Sequence, residues 1–212
     1  MLTYMTMRLA FVNKRWHIFE MATKAPEKQS KSDRTRAEIL AAAQGLFAER
    51  GFDGTTIRDI AARAEIDPAM VIRYFGNKDE LFARAASIRL DLPDLRSIEP
   101  SRIGEALALR FIDLWEGPGS GKEMAILLRS AASNDFAAKK VREVFATQVG
   151  KAIAAIGPQD TASQRAGLVA SQLLGLALCR YILKLPPVVS LSHDDIVREV
   201  GATLQRYITG TP

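Results

Sequence analysis

The sequence predicts an all-α fold of about nine helices, on three observations. Apolar residues recur at helical spacing in one segment after another. No segment shows a sustained alternation of period two, the mark of a half-buried strand. Gly, Pro and Asn stand at intervals that suit helix ends. With 212 residues, 48% apolar and 25% charged, the chain is long and apolar enough to bury a core as one domain or two small ones.

Residues 1–20 (MLTYMTMRLAFVNKRWHIFE) lack the long apolar run and small-residue cleavage site of a secretory signal. They read as an upstream extension, with Met21 as an alternative start and a short amphipathic helix as the other reading. Residues 22–32 are polar and Lys-rich, so 1–32 is expected to be a flexible extension and basic arm. The first helix is expected over Thr35–Arg50, with Ile39, Leu40, Ala43, Leu46 and Phe47 as its apolar stripe and Gly51 past its end.

Thr56 to Lys78 (TIRDIAARAEIDPAMVIRYFGNK) reads as two short helices joined by a tight turn. Ile57, Ile60, Ala61 and Ala64 share one face of the first, and Thr56 is placed to cap it. Glu65-Ile66-Asp67 is the turn. Asp67 caps the second helix, and Pro68 suits its first position because no N–H is needed there. Val71 and Phe75 form its buried side, which leaves Ala69, Met70, Ile72, Arg73 and Tyr74 outward. Helix, three-residue turn, helix is the helix-turn-helix plan, whose second helix enters the DNA major groove.

Asn77 caps a fourth helix, with Leu81, Phe82 and Ala85 inward, that ends at Leu92-Pro93. Further helices are expected over Ser101–Glu116, Lys122–Ser130, from the Asn134 cap to about Ile156, over Thr161–Leu185, and from Ser192 to about Ile208. Gly117-Pro118-Gly119, Gly157-Pro158 and Pro186-Pro187 separate them. In the last helix Ile196, Val200, Leu204, Tyr207 and Ile208 share one side.

The net charge of +5 and the pI of about 9.5 fit a polyanion partner, mildly. Lys24, Lys28, Lys31, Arg34 and Arg36 form a small basic cluster, placed to follow the DNA backbone or minor groove or else to solubilise a tail. A single cysteine, Cys179, allows no intrachain disulfide, which suits a reducing, cytoplasmic setting. The most apolar stretch, Ala166–Leu185, is broken by Gln172, Arg180 and Lys184, so no membrane span is expected. The only histidines are His17 and His193, which assemble no zinc site, and His193-Asp194-Asp195 reads as a helix start. With no Gly-rich phosphate loop either, neither an enzyme nor a metal or cofactor is expected. A non-regulatory helical DNA-binding or interaction protein remains the alternative.

Over about Thr35–Leu81 the chain resembles the tetracycline-repressor (TetR) family of bacterial transcription regulators. The resemblance rests on AEILAAAQGLFAERGFDGTTIRDIAARAEI followed by VIRYFGNKDEL, with Phe47, Gly51, Phe52, Thr55, Thr56, Ile60, Ala61, Tyr74, Phe75, Asn77, Lys78, Asp79 and Leu81 on the family pattern. Two positions depart from it. Glu65 stands where the family usually has Gly, and Ile72 where it often has a Tyr that touches phosphate.

The resemblance implies a homodimeric repressor that reads a palindromic operator in double-stranded DNA and answers to a small-molecule effector. Residues 33–80 would be its DNA-binding domain and 81–212 its ligand-binding and dimerisation domain. Thr56 would meet phosphate at a helix N-terminus, and Arg58 would read guanine through O6 and N7. Pro68, Ala69, Met70 and Ile72 would lie along the groove, with thymine methyl contact open to Ala69 and Met70. Arg73, Tyr74 and Lys78 would hold the backbone. An effector cavity is implied, with Trp115, Met124, Phe145 and Tyr181 as candidates, and Arg129, Phe136 and Cys179 beside them. Gly167, Ala170, Ser171, Leu174 and Leu178, with Gly175 next to them, form a small-residue stripe that lets another helix approach closely. With Ile196, Val200 and Leu204 it suggests a symmetric four-helix dimer interface.

Overall fold

The computed structural model describes residues 30–117 and 121–210. The 1–20 extension, the alternative start at Met21, and the arm up to residue 29 with Lys24 and Lys28 lie outside the described residues, as do Pro118 and Gly119. The described residues contain no strand and join into ten continuous helices, which is the expected fold class. Residues Ala37–Pro212 form one compact unit.

Helix α1 (Lys31–Arg50) begins at Lys31, not Thr35. Ser30 Oγ accepts the Asp33 N–H at 3.1 Å and donates to the Asp33 carboxylate at 2.7 Å, a local cap that favours the earlier start. Its Ile39, Ala42, Ala43, Leu46 and Phe47 are buried. Gly51, at φ +71°, ends it in the left-handed conformation. Thr55 is buried and donates to Gly51 O at 2.9 Å, which fixes the approach to the next helix.

Helices α2 (Ile57–Arg63), α3 (Pro68–Phe75) and α4 (Lys78–Ala85) follow with their expected caps. Thr56 Oγ1 accepts from Asp59 N–H at 3.1 Å while Asp59 Oδ2 accepts from Thr56 N–H at 2.9 Å, a reciprocal box. Asp67 accepts from Ala69 N–H at 2.7 Å, and Asn77 from Glu80 N–H at 2.8 Å. Phe82 stands edge-on to Phe47 and to Phe52, each at 5.0 Å, and ties α4 to α1.

Helix α4 stops at Ala85, well before Leu92. Residues 87–92 leave the helix because tertiary partners take their backbone groups. The Gln148 side chain donates to Ile88 O at 3.0 Å and accepts from Leu90 N–H at 2.7 Å. Arg110 Nε donates to Leu90 O at 2.7 Å. Ile88 and Leu90 are buried in that extended form.

The remaining chain builds a helical bundle. α5 (Ile103–Glu116), α6 (Gly121–Ala131) and α7 (Asp135–Val144) come first. α7 continues through a π-helical Phe145–Gly150 into α8 (Lys151–Ala154). α9 (Ala162–Ala177) continues as a π-helical Leu178–Ile182. Pro186-Pro187 does not simply terminate it; the prolines open a separate one-turn helix, α10 (Pro186–Val189), which raises the continuous helices from the expected nine to ten. Ser192 caps α11 (His193–Asp195), which runs through Ile196–Val200 into α12 (Gly201–Thr209). α12 crosses α5 so closely that a side chain at Gly104 would strike Gly201 O and Gln205.

Candidate nucleic-acid interface and effector cavity

The α2–α3 turn carries the strain that the Glu65 departure implies. Glu65 lies at φ +55°. Its N–H donates to Ala62 O at 3.3 Å and the Ile66 N–H to Ala61 O at 3.0 Å, the paired bonds of a Schellman ending. Arg63 clasps Glu49 with two bonds of 2.9 and 2.8 Å and holds α2 against α1. That bidentate hydrogen bonding keeps the Glu49 carboxyl below its usual value.

With α2 fixed, the outward side of the motif presents Thr56 and Arg58 from the first turn of α2 and Pro68, Ala69, Ile72 and Arg73 from α3, all exposed. Ile72 is 46% exposed, a large apolar side chain in water on a helix whose other side is core. Met70 is half-buried. Tyr74 and Lys78 are also half-buried: Tyr74 packs against the core, and Lys78 Nζ lies 4.2 Å from the centre of the Phe52 ring. These two are therefore part of the scaffold as well as candidates for phosphate contact.

Sequence reasoning missed the contacts that bind this motif to the bundle. Ser130, fully buried at the end of α6, accepts the Phe52 N–H at 3.1 Å. Asn134, the cap of α7, donates to Asp53 at 3.2 Å, and Gln44 donates to Glu123 at 3.1 Å. The α6–α7 turn thus grips the loop between α1 and α2. These partners lie 78 to 81 residues apart, so no local pattern announces them.

Inside the bundle is a cavity of about 110 Å³. Trp115, Met124 and Phe145 line it, as the sequence proposed. Tyr181 does not. It stacks on Trp115 at 4.5 Å, nearly parallel, and donates its hydroxyl to Glu116 at 2.7 Å. Burial, reinforced by that bond to a carboxylate, pushes the Tyr181 phenol well up. Arg129, Phe136 and Cys179 are also off the wall, and Phe136 belongs to the Phe52 and Phe82 cluster instead.

Glu116 also accepts from Arg180 at 3.1 Å and contacts His193 at 2.6 Å. Burial raises its pKa, but the bonds from Tyr181, His193 and Arg180 outweigh burial and leave it lowered. Arg180 in turn donates to Val188, Val189 and Leu191 carbonyls at 2.7 to 3.1 Å and fixes α10 beneath α9.

On α9, Gly167, Ser171, Gly175 and Leu178 are exposed, while Ala170 and Leu174 are half-buried and belong to the cavity wall. A Cβ at Gly167 or Gly175 would meet nothing. Leu168 and Leu178 are 39% and 41% exposed beside them. The expected contribution of the last helix is corrected. Ile196 and Leu204 are fully buried within the protomer, and Val200 is half-buried against its core. Their apolar side packs on α5, which takes up Ile196 and Leu204 entirely and Val200 in part.

Two family models match the chain. Residues 39–85 match the one described as "Bacterial regulatory proteins, tetR family", and residues 101–208 the one described as "Tetracyclin repressor-like, C-terminal domain". An HTH-type transcriptional repressor of Mycobacterium tuberculosis is 58% identical over 45 residues, which are 21% of this chain and 24% of that protein. The chain thus matches about a quarter of that relative's length. A TetR-family regulator from Streptomyces coelicolor superposes with a TM-score of 0.57 at 29% identity, over 86% of this chain and 99% of that one. The SmeT–triclosan complex superposes with a TM-score of 0.60 at 23% identity, over 84% and 91% of the two chains, a likeness of fold.

Proposed function

The chain belongs to the TetR family of bacterial regulatory proteins, which are DNA-binding transcription regulators and not enzymes, and from that premise we propose a repressor that works as a homodimer on a palindromic operator and releases it when a small effector fills the bundle cavity. The observation that carries the reading is the outward side of the capped α2–α3 unit. It exposes Arg58, Ala69, Ile72 and Arg73 together, on a motif rigidly held from behind. A helix offering small and apolar groups flanked by arginines suits base edges and phosphates at once.

Residues 33–80 form the DNA-reading part of this proposal and residues 81–212 the effector and dimer part. Two copies meet along the exposed side of α9, where the absence of a Cβ at Gly167 and Gly175 allows close approach and Leu168 and Leu178 supply apolar area. The cavity shares α6 and α7 with the turn that grips the Phe52-Asp53 loop. An effector favouring one placement of α6 shifts the population toward protomers whose recognition helices no longer match the operator spacing. Binding of triclosan by SmeT, a protein of similar fold, supports a small-molecule effector.

The test is a footprint of the purified protein on the DNA flanking its own gene. Protection of an inverted repeat, lost on random competitor DNA only at high excess, is expected. Even coverage without a preferred site would favour the non-regulatory DNA-binding alternative.

A further inference from the structure

Ile72 stands on α3 at 46% exposure, and every other exposed large apolar side chain among the described residues lies between Leu168 and Leu191. A lone apolar group on a surface ordinarily means little. Ile72 is set apart by its place, on the outward side of the second helix of a helix-turn-helix, the one that enters the major groove. Ala69, one turn earlier on the same side, and Arg73 beside it are exposed too.

The position of Ile72 is fixed. Val71 and Phe75 anchor α3 in the core. The Ile72 carbonyl accepts the Gly76 N–H at 2.7 Å. A β-branched side chain on a helix keeps to one strongly preferred χ1 rotamer. The methyl groups of Ile72 therefore present one shape to the groove.

Isoleucine neither donates nor accepts a hydrogen bond, so it cannot hold a phosphate. The tyrosine that the family often has at this position touches phosphate through a hydroxyl at the far end of its ring. Isoleucine is shorter and meets what lies against the helix itself. Pressed on most base edges, it would strip water from a donor or acceptor and return nothing. Of the groups that base pairs show in the major groove, the C5-methyl of thymine is the apolar one.

We propose that Ile72 is a specificity-determining residue that packs against a thymine C5-methyl of the operator, at one position in each half-site. The inference rests on the DNA-reading function proposed above and assigns one base of the site. Positive charge brings in the duplex whatever its sequence. Ile72 adds a preference for thymine where α3 meets the groove.

The experiment uses the full chain and the operator found by footprinting. Each thymine of one half-site is replaced in turn by uracil, which lacks only the methyl and keeps every hydrogen-bonding group. At one position uracil is expected to weaken wild-type binding about fourfold, the worth of one buried methyl. Ile72→Ala binds the thymine operator more weakly, and at that position its thymine-to-uracil ratio falls to about one. Its affinity for random DNA and its salt dependence stay those of the wild type, because no phosphate contact is lost. A melting temperature close to wild type shows that the variant folds.

Wild-type binding that is indifferent to uracil at every position overturns the proposal without any variant, and leaves the regulator reading standing. A uracil penalty that persists in full in Ile72→Ala gives the methyl to another side chain and overturns it too. So does equal weakening of Ile72→Ala on operator and random DNA, which would make Ile72 part of the backbone footprint. An Ile72→Ala protein that sediments as a monomer where the wild type is a dimer would place Ile72 in a contact between copies, and also overturns it. If footprinting finds no preferred site, the DNA-reading function itself fails and takes this inference with it.

Discussion

Phe52 and Ser130 stand 78 residues apart in sequence, and the Phe52 N–H donates to Ser130 Oγ at 3.1 Å in a site closed to water. The bond joins the loop that precedes the DNA-reading helices to the end of a helix that lines the cavity. Ser130→Ala leaves a buried N–H without an acceptor and should lower the unfolding free energy by about 1–3 kcal/mol. Urea unfolding measures this. On the proposed effector reading, it should also reduce the loss of DNA affinity on effector binding. Unchanged stability and unchanged coupling would make the contact incidental.

Arg58 is exposed on the first turn of α2. If it reads a base, Arg58→Ala should cost about 1–3 kcal/mol on the operator and relax preference at one position per half-site. Quantitative binding to operator and random DNA separates the outcomes. Equal weakening on both would assign Arg58 to phosphate.

Glu65 holds φ +55° in the turn between α2 and α3. Glu65→Gly relieves the Cβ and should stabilise the protein by up to about 1 kcal/mol, offset in part by a freer unfolded chain. A lower melting temperature would mean that the Glu65 side chain has a role in the folded state.

Glu116 has a lowered pKa because Tyr181, His193 and Arg180 favour its charged form more than burial disfavours it. A carboxyl lowered on folding contributes stability that is fully present above its unfolded value, near ~4.3, and lost as pH falls through the folded value. The wild type should therefore lose stability below about pH 4.3 more steeply than Glu116→Gln. Melting curves between neutral and acid pH test the sign. Parallel acid limbs would show that the cluster does not couple to folding.

Local chemistry made most of the motif legible. Thr56, Asp67, Asn77 and Ser192 each bond to N–H groups two or three residues on, and such bonds need no tertiary information. Legibility failed where a partner is remote. Residues 87–92 read as helix until Gln148 and Arg110 take their backbone groups. Ile196 and Leu204 read as an interface because an apolar stripe looks the same whether it meets α5 or a second chain. The cavity implied by the resemblance carries no depth in the sequence, so Tyr181 stands as a candidate beside Trp115, although in the structure it stacks behind that indole and off the wall. Leu174 had the same ambiguity: it belongs to the stripe on α9 and also to the cavity wall.

Two copies on one inverted repeat is the central claim, and sedimentation of the protein with its footprinted DNA tests it most directly. Wild-type protein should sediment as a dimer when free and place two protomers on each site. Leu178→Arg, which sets a charge on the exposed side of α9 without entering the cavity wall, should sediment as a folded monomer that has lost tight binding. A wild-type protein that is monomeric, both free and on a single half-site it binds at full affinity, would contradict the account.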